Sequence, residues 1–269
     1  LKALLSSPAL QTTVRCRVAA HELLRGSAEA IAQWRRQPIR LGTENLPASF
    51  LKHAEDQTVA AVWAVVHALE RQGWRNRSFA EWGVIAAPNL CGRMTNAQAM
   101  ERFRKEGAWG ISPHLIPHQS LHAMSGTISQ ALKIYGPNFG VSGGPNASLD
   151  AFLIAAAMLA DGSLPGLWLL LTGYESEWIP APDGPPSPAP NCIACALALT
   201  PTEPGAAGLH LSIGQTARAA DLAIFPEFQL GLFAEECGNA WQALGPKWRL
   251  SDTCWLEFDA ILPGAEGRS

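Results

Sequence analysis

No run of basic residues longer than the pair Arg35-Arg36 occurs in this sequence, which speaks against a nucleic-acid partner. Charge is thin throughout: 16% of the residues are charged, for a net charge of -3 and a pI of about 6.2. A surface this poor in charge is expected to be covered in part by a partner. Long apolar runs are missing too. The longest, AFLIAAAMLA (151–160) and LWLLL (167–171), are separated by DGSLPG. Each is too short to span a bilayer and reads as a buried core element. The opening LKALLSSPAL has neither the apolar core nor the small-residue cleavage pattern of a secretory signal. A cytoplasmic protein is expected, although the chain opens on Leu. There is no G-x-G-x-x-G and no G-x-x-x-x-G-K-[ST], so no dinucleotide or phosphate-loop cofactor is expected. Of the six cysteines only Cys192 and Cys195 are close, in CIACALAL. That run has strand character, no turn and no second pair, so packed thiols are expected rather than a metal or redox centre.

The patterning present alternates strand and helix. Residues 12–21 alternate as a strand, with Val14, Cys16 and Val18 against Arg15 and Arg17. Residues 27–37 read as a helix with Ser27 as N-cap, ended by Pro38. Residues 56–73 carry the strongest helical periodicity, and Gly73 can close that helix. A strand at 82–89 and a helix at 96–107 follow. Pro113 and Pro117 keep 111–118 a loop, and a helix is expected from Gln119 to Tyr135. FGVSGG is a short strand or turn. The helix at 147–160 is apolar on every side and so is expected to be buried between layers. Strands are expected at 166–176, in CIACALALTP and in GLHLSIGQT. The prolines of 180–190 make a loop or stiff connector. Residues 216–269 read as an irregular extension with a helix at 229–243. This order implies an α/β layered fold with a mostly parallel sheet and a buried helix. The domain spans 12–215, and the extension packs on it or on a partner.

Three groups of residues are candidates for chemistry. Ser142, in Gly140-Val141-Ser142-Gly143-Gly144, fits the nucleophile-elbow string, and a helix follows it. The only downstream histidine is His210, within a strand pattern rather than a loop, so the triad is poorly supplied. His114, His118 and His122 are spaced by four, but the prolines leave at most His118 and His122 on one helix face and no acid lies nearby in sequence, so no metal site is expected. Glu175 and Glu177 follow a strand and could pair, although solvated surface acids are the plainer reading.

The stretch IPHQSLHAMSGTISQALKIYGPNFGVSGGPNASLDAF resembles the β-ketoacyl synthases of fatty-acid and polyketide assembly, which have the thiolase fold. The resemblance runs from about 12 to 200. Gly136-Pro137 takes the family's Gly-Pro, and Asn146, Ala147, Ser148, Leu149 and Ala151 take the stretch after its cysteine. WLLLTGYES and CIACALALTP look like later strands of the family's first half. VAAHELLRGSAEAIAQW is similar to the opening of the smaller synthase-like proteins found with aryl-polyene and type II polyketide genes.

This sequence departs from the family twice. Pro145 occupies the nucleophile position; proline suits a first helical turn but cannot attack. After residue 200 only about 70 residues remain, roughly half of a second half-domain, and no H-G-T-G-like string occurs. The resemblance therefore implies a synthase-like pseudoenzyme with no catalytic residue and no independent activity. It would work within a complex that has acyltransferase (3-oxoacyl-ACP synthase) activity. The implied role is that of a chain-length factor or accessory subunit in fatty-acid, polyketide or aryl-polyene synthesis. The implied partners are an active synthase and an acyl carrier protein, in a homo- or heterodimer. In the family, subunits pair along the strand before the nucleophile, here Phe139, Gly140, Val141, Ser142 and Gly143. A serine acyl hydrolase or acyltransferase using Ser142, and a stand-alone acyl- or carrier-binding protein, remain the alternatives.

Overall fold

The computed structural model describes residues 13–41, 44–47, 49–113, 115–141, 144, 146–175, 191–202, 206–216, 221–237 and 247–261. Strand β1, Thr13–Gly26, alternates in its first half as the sequence predicts, burying Cys16 and Val18. The register then shifts between Val18 and Ala20. One inserted residue reverses the facing of all that follow, so Ala20 and Leu24 join the opposite core from Cys16 and Val18. Helix α1, Ala28–Trp34, is capped by Ser27, whose Oγ accepts from the Ala30 N–H at 3.3 Å. A small hairpin of β2, Arg40–Leu41, and β3, Glu44–Asn45, leads to α2, Asp56–Arg71. Gly73, at φ +68°, follows the end of α2 as expected.

Strand β4, Gly83–Pro88, is buried along its whole length. It runs into α3, Arg93–Glu106, a single 3-10 turn at Gly107–Gly110, α4, Leu115–Gln119, and α5, Leu121–Leu132. Helix α5 stops short of the predicted Tyr135 because Lys133 turns left-handed at φ 53°, and the Ile134 N–H closes back on the Ser129 carbonyl at 2.9 Å. Then come β5, Asn138–Gly140, α6, Ala147–Ala160, β6, Leu167–Tyr174, β7, Cys192–Pro201, and β8, Gly208–Gln215. The chain closes with α7, Leu230–Cys237, β9, Lys247–Arg249, and β10, Cys254–Ile261. The proline-rich stretch 180–190 lies outside the described residues.

One eight-stranded sheet organises these elements in the order β5-β4-β6-β7-β1-β8-β10-β9. It is mixed rather than mostly parallel. Only β5, β4 and β6 run parallel; the other neighbours pair antiparallel. Parallel neighbours need crossovers, and helices cross over between β4, β5 and β6. Residues 216–269 also differ from the irregular extension expected. β10 pairs with β8 from Cys254↔Gln215 to Ile261↔Gly208, so this stretch extends the sheet itself. Its inward residues Cys254, Leu256 and Phe258 alternate with Trp255, Glu257 and Asp259.

Each face of the sheet carries its own core. On one, α2 packs over the alanines Ala194, Ala196 and Ala198 of β7, with Trp168 and Leu170 beside them. Small side chains there let the helix approach closely, and most of α2 is buried. On the other, Ala151, Phe152, Ala155 and Leu159 of α6 meet Leu169, Leu171 and Leu197, with Phe233 and Trp248 beyond. The most deeply buried helix is thus α2. Helix α6, expected to be buried on every side, buries one face. Ile154 is 37% exposed, and Ala157 and Ala160 also face outward, because the sheet covers one side of it only. Cys192 and Cys195 are buried on opposite faces, as three-residue spacing in a strand requires, and so share no site.

Candidate functional site

The parallel strands β5, β4 and β6 point their carboxyl ends the same way. In open α/β sheets ligands bind at such ends. A chamber of about 860 Å³ lies there. Its walls come from Asn89 after β4, Gly173, Tyr174 and Glu175 at the end of β6, Asn146 and Ser148 at the start of α6, and Glu227 to Leu232 before and within α7. Arg25 from the end of β1 and Ile193 from β7, partners in the ladder, complete it. The Arg25 Nε bonds Glu175 at 2.9 Å, and the Asn191 amide donates to the same carboxylate at 3.0 Å. Glu175 is therefore half of an ion pair; its candidate partner Glu177 lies outside the described residues. Among the described residues, the chamber lining holds no histidine and no cysteine.

Behind the chamber wall a polar network ties the start of α2 to the ends of β4 and β6. Glu55 caps α2, accepting from the Gln57 N–H at 2.6 Å, and the Tyr174 hydroxyl donates to it at 3.0 Å. Thr172 Oγ1 donates to Gln57 Oε1 at 2.7 Å, and Gln57 Nε2 donates to the Asn89 carbonyl at 3.1 Å. Burial, with the charge of Asp56, pushes the Glu55 carboxyl up to about 7 against the pull of these donors. Burial and then Glu55 push the Tyr174 phenol well above its usual range, and the same two causes raise the Cys91 thiol to about 11. A thiol held that far from its thiolate is a poor nucleophile at neutral pH.

The stretch singled out by sequence reaches this chamber at Asn146 and Ser148. Among the described residues β5 is the outermost strand, joined to β4 alone. Phe139 is 46% exposed on it, whereas Val141 is buried and its N–H bonds the Ala86 carbonyl at 2.8 Å. A side chain at Gly140 would collide with the Leu121 carbonyl, 2.0 Å from the Cβ position, so this glycine lets α5 seat against β5. Ser142, Gly143 and Pro145 lie outside the described residues. His210, the only downstream histidine, is buried in β8, five strands from β5. At about 4.8 Å per strand that is roughly 24 Å. His118 lies on α4 with its ring 5.9 Å from His53, while His122 on α5 faces Ser125 at 3.3 Å, so the two share no helix face. His114 lies outside the described residues. No cluster of three metal-ligating side chains occurs among the described residues, nor is any helix among them long and apolar enough to cross a membrane. Sequence reasoning missed Arg25, Glu55 and the 227–232 wall. Glu55 and Tyr174 are 119 residues apart, and no local pattern announces such a contact.

No protein-family model matches the chain, and no curated protein matches it. Solved structures do. A ketosynthase (ApeO) in complex with its chain length factor (ApeC) from Xenorhabdus doucetiae aligns over 94% of this chain and 99% of that one, with a TM-score of 0.50 and 16% identity. A type II polyketide acyl-carrier protein in complex with its ketosynthase aligns over 70% of this chain and 62% of that one, at 15% identity and a TM-score of 0.48. The ishigamide ketosynthase/chain length factor aligns over the same shares at 16% identity and a TM-score of 0.47. The chain thus spans less than two thirds of the length of the latter two. The chain has a ketosynthase-like thiolase fold.

Proposed function

We propose that this chain is a non-condensing, ketosynthase-like subunit. It acts as a chain-length factor or accessory partner of an active β-ketoacyl synthase in fatty-acid, polyketide or aryl-polyene synthesis, with an acyl carrier protein delivering the chain. The observation that carries the reading is the position of β5. It is the edge strand beside the chamber, with Phe139 exposed on it, and an unpaired strand edge is a template for another chain. Pairing there would place the chamber next to the partner's own site. The near end-to-end alignment with a structure described as a ketosynthase with its chain length factor supports the same reading. Pro145 at the nucleophile position belongs to this proposal. Co-expression with a β-ketoacyl synthase encoded beside it tests the reading: a complex with one copy of each chain is expected on size exclusion. A chain that elutes alone, with the synthase fully active without it, sinks the proposal.

A further inference from the structure

A second cavity, of about 380 Å³, opens near the amino ends of β4 and β5, away from the chamber. That volume falls within the range of small-molecule sites, about 300–1,000 Å³. Leu41, Leu46, Leu69 and Leu132 give it an apolar floor, and Arg75, Arg77 and Lys133 stand in its wall, Lys133 being engaged with another group. No acid lines it. Arg75 is already matched by Glu70 at 2.5 Å. Arg77 is not: among the described side chains no carboxylate forms an ion pair with it. Its guanidinium carbon lies 4.1 Å from the ring centroid of Trp74, 4.9 Å from that of Trp82 and 5.8 Å from that of Phe79. Aromatic contact takes up the face of a guanidinium, fixes the side chain and leaves its edge donors for a planar anion. Nor is Arg77 needed to cap the helix ends nearby. The Trp74 N–H bonds the Leu69 carbonyl at 2.8 Å and the Ile134 N–H bonds that of Ser129 at 2.9 Å.

We propose that this cavity binds an amphipathic carboxylate, with a medium-length apolar body against the leucines and the carboxylate on the edge of Arg77. One unmatched guanidinium over an apolar floor fits one negative charge on an apolar tail, and a carboxylate matches the guanidinium fork two bonds at a time. The site lies away from the chamber and goes beyond the subunit role.

Octanoate and its neutral counterpart octanol, titrated by calorimetry into the full chain and into Arg77→Gln and Arg77→Lys, test the proposal. Octanoate saturates one site per chain, and octanol binds about tenfold or more weakly, the scale of a lost charge-assisted bond. Arg77→Gln removes octanoate's advantage, and Arg77→Lys keeps part of it. A diazirine-bearing octanoate labels peptides containing Leu46 or Leu132. Equal binding of the two probes by the unaltered chain, no saturable binding, or labelling of Phe228–Leu232 instead overturns the proposal, whether or not Arg77→Gln folds. Unchanged octanoate affinity in a folded Arg77→Gln does the same.

Discussion

The Tyr174 hydroxyl donates to the Glu55 carboxylate across 3.0 Å, joining the end of β6 to the cap of α2 directly behind the chamber. Glu55 is a buried carboxyl raised from 4.5 to about 7, mainly by burial. Between those values the folded chain holds a proton that the unfolded chain has released. The stability Glu55 contributes is therefore full below pH 4.5 and is lost as pH rises through 7, by about 3 kcal/mol at most. His21 acts in the opposite sense. Burial and then Arg71 lower it from 6.5 to about 4, so its contribution rises with pH across that window and is flat above it. The unaltered chain should show a shallow profile up to about pH 6.5, a small decline to about pH 7 and a flat profile beyond. Glu55→Gln should remove the decline and be the more stable form at pH 8. Thermal unfolding from pH 5 to 8.5 measures this; parallel curves for the two proteins contradict it.

Gly140 and Leu121 make the tightest backbone approach near the chamber. Gly140→Ala should cost roughly 1–3 kcal/mol, as overpacking does, and should push β5 from α5. Denaturant unfolding gives the cost. Hydrogen exchange at the Val141 amide, which bonds Ala86, should accelerate more than that at Leu169. A variant as stable as the parent would mean that α5 and β5 are spaced more loosely.

Phe139 is half-exposed on the edge strand, so Phe139→Asp should change the folding free energy by no more than about 0.5 kcal/mol. A charge in a paired edge opposes strand addition. The same variant should therefore lose the complex with the synthase on size exclusion while its unfolding curve stays put. Retention of the complex would move the interface off β5.

Ser142 should not react with a fluorophosphonate. Its only downstream histidine, His210, sits five strands away from β5, and an unassisted serine hydroxyl is a weak nucleophile. Labelling seen by mass spectrometry at Ser142, and lost in Ser142→Ala, would contradict the non-catalytic reading.

Local chemistry was legible in the sequence, and partnership was not. The Ser27 cap and the 56–73 helix follow from residue types within one turn of the chain. Helix α6 was legible as a helix because its apolar run ends at Asp161-Gly162, but an all-apolar sequence does not say which neighbours cover it, and Ile154 faces outward. β10 was hidden because its period-two pattern stands alone after a stretch of weak signals. The sheet's mixed direction depends on β1 entering between β7 and β8, a long-range choice that no single segment records. The Arg25–Glu175 pair and the Glu55–Tyr174 contact were hidden for the same reason.

The most direct measurement is the product of a reconstituted synthase with and without this chain. A β-ketoacyl synthase from its gene neighbourhood, a loaded acyl carrier protein and an extender unit are incubated, and carrier-bound chains are sized by mass spectrometry. The account predicts that adding the chain sharpens or lengthens the product distribution, and that the Phe139→Asp form does not. An identical distribution in all three reactions, together with separate elution of the two proteins, would contradict it.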